Sequence, residues 1–197
     1  IVWITGASDG IGKELAIQMA EQGAKIILTA RNVGKLTAVK AQLKGDGHFV
    51  YPMDLLKVDA IPNGVKEVLQ AMGRVDILVN NAGISQRSLA KNTALSVDRK
   101  IMEIDYFAVV ALTKELLPQM IARKSGHIIA ISSVAGKIGA PMRSAYCGAK
   151  HAVVGFMDVL RAETYAEGIK VMVVTPGSVK TNISVNALEG DGKKHNV

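Results

Sequence analysis

Ser133, Tyr146 and Lys150 have side chains and a spacing suited to acid-base chemistry. They stand in the stretch S-V-A-G-K-I-G-A-P-M-R-S-A-Y-C-G-A-K, directly after the apolar run Ile128-Ile129-Ala130-Ile131. The run reads as a strand, the Gly- and Pro-containing segment as a loop, and the residues around Tyr146 as the start of a helix. On that helix Tyr146 and Lys150 lie one turn apart on the same face. A tyrosine is a poor acid-base catalyst at neutral pH, but an ammonium within a few ångströms favours the phenolate. A loop that folds back onto the helix brings the Ser133 hydroxyl to the same place. By itself Tyr-x-x-x-Lys is also an ordinary helical surface contact, so the rest of the chain decides its meaning.

The elements that must position these groups begin at the amino end. Ile1 to Thr5 is apolar and rich in β-branched residues, T-G-A-S-D-G-I-G follows, and Ile11, Leu15 and Met19 then recur on one helical face. Strand, tight loop and helix in that order let the backbone at Gly6, Gly10 and Gly12 approach a phosphate, whose charge the helix N-terminus holds. The spacing differs from the G-x-G-x-x-G of many dinucleotide folds. A second apolar run, Ile26 to Leu28, ends at Ala30-Arg31-Asn32. NAD-specific folds place a carboxylate about 20 residues beyond the glycine loop to bind the adenosine ribose. Here no Asp or Glu occurs between Glu21 and Asp46. The planar guanidinium of Arg31 suits adenine stacking and a 2′-phosphate, which predicts NADP(H) as the cofactor.

Further strands and helices alternate in the same way. Lys35 to Lys44 reads as a helix, and Phe49 to Tyr51 as a strand leading to Asp54-Leu55. Ile61, Val65, Leu69 and Met72 form the stripe of a third helix, and Ile77 to Val79 a strand buried on both faces that runs into Asn80-Asn81-Ala82-Gly83. The pattern Ile101, Ile104, Ala108, Leu112, Leu116 predicts one long helix from Ser96 to about Arg123, with Ser96 as its N-cap. A helix from Ser144 to near Gly168 carries Val153, Met157 and Leu160, and Lys170 to Thr175 supplies a sixth strand. The expected fold is α/β: a Rossmann-type doubly wound parallel sheet of at least six strands with helices on both faces. Its ligand lies at the carboxyl ends of the strands. The tail from Ala187 to Val197 is expected to be mobile.

T-G-A-S-D-G-I-G, N-N-A-G, the Ser133, Tyr146 and Lys150 set, and P-G-S-V-K-T resemble the classical short-chain dehydrogenase/reductase family, over essentially the whole chain. The resemblance implies a carbonyl-alcohol oxidoreductase working by hydride transfer. In it Tyr146 is the general acid/base, Ser133 bonds the carbonyl oxygen, and Lys150 tunes Tyr146 and holds the nicotinamide ribose. The implied cofactor-binding set is Gly6, Ser8, Gly10, Ile11 and Gly12, then Arg31 and Asn32, with Asp54 and Leu55 at the adenine. Asn81, with a structural role, and Ala82 and Gly83 follow, and Pro176, Gly177, Val179 and Thr181 complete it, Thr181 bonding the carboxamide. Tyr146 and Lys150 belong to this set as well, and no metal does. A homodimer or homotetramer is the family-level expectation. Asp105 departs from the pattern, because the family has an asparagine there that orders a water beside the lysine and extends a proton relay. An ionised aspartate keeps an acceptor and loses the donor. It is expected to pair with Lys150 through water and to weaken the effect of Lys150 on Tyr146.

Composition narrows the alternatives. A chain of 197 residues that is 49% hydrophobic and 21% charged fits a single domain, here read as an NADP-binding domain over 1–197 that continues beyond both ends. No window approaches the ~18 consecutive apolar residues of a membrane span. The expected location is cytoplasmic, with room for a leader or anchor before Ile1. The lone Cys147 excludes an internal disulfide and suits a reducing compartment. The net charge of +7 is spread along the chain and aromatics are 4%, which fits a solvated basic surface and an anionic cofactor better than a nucleic-acid partner. Two rival classes remain at this level: an NADP-binding scaffold or redox sensor with little turnover, motivated by Asp105, and an adenosine-phosphate binder of unrelated chemistry.

Overall fold

The six apolar runs form six parallel strands of one sheet in the computed structural model, which describes residues 1–195. They are β1 (Val2–Thr5), β2 (Ile26–Thr29), β3 (Phe49–Val50), β4 (Ile77–Asn80), β5 (Gly126–Ile131) and β6 (Ile169–Val174), in the spatial order β3-β2-β1-β4-β5-β6. The chain moves outward from β1 to β3, then crosses back to β4 and continues the other way. Parallel pairing requires a crossover between strands. The helices that make the crossovers are α1 (Gly10–Glu21), α2 (Val33–Lys40), α3 (Ile61–Met72), α4 (Leu95–Met102), α5 (Ala108–Ala122) and α6 (Ser144–Glu163).

Alternate strand residues feed two cores. Trp3, Ile27, Leu78 and Ile128 face α3, α5 and α6, where Val65, Leu112, Leu116 and Met157 meet them. Val2, Ile4, Ile26, Leu28 and Val79 face the other way, against Ala16 and Ala20 of α1 and Leu36 and Val39 of α2. Each fully buried large side chain contributes about 1.5–3 kcal/mol, so burial on both faces holds helices against the two sides of the sheet. The Trp3 Nε1–H donates to Thr29 Oγ1 (2.8 Å), whose hydroxyl donates to the Tyr51 carbonyl (2.8 Å). Three adjacent chain segments are thereby tied together on the side of the sheet that faces α3, α5 and α6.

Several sequence expectations shift. The predicted long helix is broken into α4 and α5 by a π-helical turn over Glu103–Phe107. Ser96 is not the N-cap: α4 starts at Leu95 with Ala94 in the cap position, and no side chain caps it. α2 starts two residues earlier than its apolar pattern suggests, because Asn32 Oδ1 accepts from the Lys35 N–H (2.9 Å) and caps it. The tail is docked through residue 195. Leu188 N–H donates to the Ser85 carbonyl (2.7 Å) and the Arg87 N–H to the Leu188 carbonyl (2.8 Å), while the Leu188 side chain packs on Val97, Ile101, Ala145 and Ala149. Asn196 and Val197 lie outside the described residues. Among the described residues no helix is long and apolar enough to cross a membrane, and no group of three or more His, Cys, Asp or Glu could hold a metal.

Candidate active site

A cleft of about 870 Å³ runs along the carboxyl ends of the six strands and spans the reversal between β1 and β4. Its floor is the glycine loop. Gly6 and Gly10 adopt positive φ (65° and 53°), which side chains other than glycine rarely accept. Asn81 Nδ2 donates to the carbonyls of Thr5 (2.9 Å) and Gly6 (3.3 Å), while Thr5 Oγ1 accepts from the N–H groups of Asn81 and Ala82 (3.0 Å each). These bonds clamp the ends of β1 and β4 together. Gly6, Ser8, Gly10, Ile11, Asn81, Ala82 and Gly83 all line the cleft, and Gly12 does not. Its place is beneath the loop, where a Cβ would stand 2.5 Å from the Gly6 carbonyl oxygen and against Asn81 Nδ2. Gly12 thus packs the loop against Asn81 from below, at a place where no side chain would fit.

Asp9, to which the sequence pattern assigned nothing, caps α1 by accepting from the Gly10 N–H (2.7 Å). Its second oxygen accepts from Asn182 Nδ2. The Asn182 bond, the Gly10 N–H and the nearby Lys35 and Lys13 hold the Asp9 carboxyl below the usual carboxylate range. The glycine loop is thus joined to the segment that follows β6. That segment brings Pro176, Gly177, Val179 and Thr181 to the cleft wall. At the opposite end Arg31, Asn32, Asp54 and Leu55 line the cleft, together with Lys35. Arg31 has no ion-pair partner among the described residues. Lys35 joins it because α2 begins at Val33 and turns this residue toward the β2 end.

Ser133, Tyr146 and Lys150 line the same cleft. Ser133 caps a 3-10 turn over Val134–Gly136, its Oγ accepting from the Ala135 N–H (3.1 Å). The turn rests on α6 because Gly136 has no Cβ, which would meet Ser132 Oγ at 2.5 Å and the Lys150 carbonyl oxygen at 2.9 Å. The amino end of α6 has no local side-chain cap. Its cap is Gln86, fully buried in the loop after β4. The Gln86 Oε1 accepts from the N–H groups of Ala145 (2.7 Å) and Tyr146 (3.3 Å), and its Nε2 donates to Ser144 Oγ (3.1 Å) and Thr93 Oγ1 (3.2 Å). No local signal reveals this residue, which lies 59 positions from Ala145. The Lys150 Nζ donates to the Ile131 carbonyl (3.1 Å) and stands 5.6 Å from the centre of the Tyr146 ring, with Arg143 Cζ 6.0 Å from the same point.

Asp105 lies behind the cleft wall and does not line it. The carboxyl is completely buried, and Oδ1 accepts from the Ile84 N–H (2.8 Å). Oδ2 stands 3.4 Å from Lys150 Nζ, an ion-pair distance without hydrogen-bond geometry. The contact is direct, which corrects the water-mediated link expected from the sequence. Burial pushes the Asp105 carboxyl up from its ordinary range, against the opposing pull of Lys150 and the Ile84 N–H. Cys147 is buried beside Ala135 and Tyr146, with Sγ accepting from the Ala140 N–H (3.4 Å), and fills space.

Comparison with known proteins agrees with this arrangement. The family model described as short chain dehydrogenase matches residues 1–192. Dehydrogenase/reductase SDR family member 7B of Mus musculus is 48% identical over 99% of this chain. The match spans 62% of that relative's length. A short-chain dehydrogenase structure from Streptomyces avermitilis superposes with a TM-score of 0.87 at 36% identity, covering 92% of this chain and 67% of that one. A metagenomic short-chain oxidoreductase solved in complex with NADP gives 0.84 at 37% identity, covering 91% and 83%. With the parallel sheet, the T-G-x-x-x-G-x-G loop and the Ser, Tyr and Lys side chains along one cleft, the chain belongs to the short-chain dehydrogenase family of oxidoreductases.

Proposed function

We propose that this chain is an NADP(H)-dependent oxidoreductase that interconverts a carbonyl compound and a secondary or primary alcohol, with Tyr146 as general acid/base. The observation that carries the reading is the convergence of Ser133, Tyr146 and Lys150 on the cleft whose other end is the glycine loop. The residues present fit the cofactor. The positive-φ glycines at the N-terminus of α1 suit a pyrophosphate, and Arg31 with Lys35 at the far end of the cleft suits a 2′-phosphate. Lys150 and Thr181 line the cleft, and in this reading they bond the nicotinamide ribose and the carboxamide. When bound, the cofactor supplies or accepts the hydride.

The chain's own groups handle the proton and the developing charge. During reduction the Tyr146 hydroxyl gives its proton to the carbonyl oxygen, and Ser133 Oγ–H bonds that oxygen as negative charge grows on it. Lys150 keeps a positive charge near the phenol. Ile104, Ile131 and Leu188 supply apolar cleft wall that limits water around these groups. Oxidation uses the same groups in reverse. The deciding experiment is NADPH oxidation with a panel of ketones and aldehydes: turnover supports the enzyme, and binding without turnover supports the scaffold.

Cofactor choice has its own test. The wild type is expected to bind NADP(H) more tightly than NAD(H), and Arg31→Asp to reverse that order. Losing a charge-assisted contact of about 1.5–3 kcal/mol weakens NADP(H) roughly ten- to a hundredfold. Fluorescence titration of both reduced cofactors measures it. A wild type that binds NAD(H) equally well or better would sink the NADP assignment.

A further inference from the structure

The π-helical turn between α4 and α5 adds a residue to the helical turn, so the neighbours Ile104 and Asp105 both face the interior. Asp105 thereby stands in line with Ile101, Ala108 and Leu112, all buried. An isolated carboxylate does not stay ionised in such surroundings, whereas one paired with a cation can. One partner is provided for each oxygen. The Ile84 N–H bonds Oδ1 (2.8 Å), and Oδ2, without a hydrogen-bond partner, has Lys150 Nζ at 3.4 Å.

The approach depends on Gly83. A Cβ there would stand 3.0 Å from Asp105 Oδ2 and 3.3 Å from Lys150 Nζ, crowding both charged atoms from one side. From α6 the titratable groups on this side are Lys150 and, one turn earlier, Tyr146, while β5 offers the Ile131 carbonyl and the loop after β4 offers peptide groups. On its own turn Glu103 is half-buried, and Tyr106 packs its ring on Phe107 and Phe156. Lys150 is the cation that acts on Asp105.

We propose that Asp105 is a positioning residue: its carboxylate holds the Lys150 ammonium by direct contact beside Gly83, and its protonation state sets how much positive charge Tyr146 experiences. The catalytic meaning of this pair rests on the acid-base role proposed for Tyr146; its existence does not. With Asp105 ionised, the pair is nearly neutral and its field at the phenol is weak. With Asp105 protonated, the ammonium acts alone. Because burial raises the carboxyl above 3.8, the folded state holds this proton more tightly than the unfolded chain. The Asp105 contribution to stability is therefore greatest at low pH and declines as pH rises from 3.8 through the folded value.

The test reads both charges without turnover. The Asp105 carboxyl carbon is titrated by NMR in aspartate-labelled apoprotein, its signal assigned by its loss in Asp105→Asn. In Lys150→Met its midpoint should rise by about one to three pH units, the effect of removing an opposite charge at this distance. If that variant does not fold, Lys150→Gln, which keeps a polar side chain at the position without its charge, should move the midpoint the same way. An unmoved midpoint in the folded variant overturns the pair. Ultraviolet difference spectra against Tyr146→Phe then give the phenolate fraction at a fixed alkaline pH, which should be larger in Asp105→Asn than in the wild type. Equal fractions overturn the action on Tyr146. Failure of every carbonyl compound to be reduced would count against the oxidoreductase reading alone, since neither spectroscopic result depends on it.

Discussion

Tyr146→Phe is expected to lower kcat by about 100- to 10,000-fold, the range for losing a general acid, while the Kd for NADP(H) hardly changes. The separation of the two effects follows from the geometry. Tyr146 is 8% exposed and its ring packs with Ala135 and Cys147, contacts that phenylalanine keeps. Only the hydroxyl is lost. Lys150→Ala should instead damage both constants, because it removes the ribose contact proposed above and the cation 5.6 Å from the ring centre. Single-turnover kinetics and cofactor fluorescence titration distinguish the outcomes. A Tyr146→Phe enzyme that kept most of its kcat would require another acid, and Ser133 would be the first place to look.

Gly12→Ala should be the most damaging small substitution in the glycine loop. The new methyl would lie 2.5 Å from the Gly6 carbonyl oxygen and against Asn81 Nδ2, so either α1 shifts or the Asn81 bonds to Thr5 and Gly6 break. Overpacking of this kind costs about 1–3 kcal/mol, and for a chain of this size each kcal/mol lowers Tm by about 2–4 °C. Cofactor binding suffers as well, because the displaced parts are the loop floor and the N-terminus of α1. The thermal stabilisation given by saturating NADPH should shrink accordingly. Gly139→Ala is the control, since nothing lies within 4 Å of a Cβ at that position. Equal melting and equal NADPH stabilisation for Gly12→Ala and Gly139→Ala would show that Gly12 does not support the loop.

Much of the architecture was legible because parallel strands buried on both faces must be continuous apolar runs. Ile26 to Leu28, Ile77 to Val79 and Ile128 to Ile131 could be read that way without knowing their neighbours. Tyr146 and Lys150 were legible for a similar reason: the helical repeat alone puts residues four apart on one face. The absence of an acid between Glu21 and Asp46 is likewise a property of the string of residues.

The alternation of strands and helices and the residue types at the strand ends therefore follow from the order of residues alone. The tertiary structure decided how those ends meet. Gln86 caps α6, Asn81 clamps the loop at Gly6, and Leu188 fills a gap between α4 and α6, each across a separation that no local periodicity encodes. Asp105 shows the limit most sharply. On the chain it is an aspartate within an apolar helical stripe; in the fold a π-helical turn, the missing Cβ of Gly83 and the arrival of α6 make it the direct partner of Lys150. Periodicity depends on neighbours along the chain, whereas these contacts depend on the strand order β3-β2-β1-β4-β5-β6, which brings β4, β5 and the helices after them side by side.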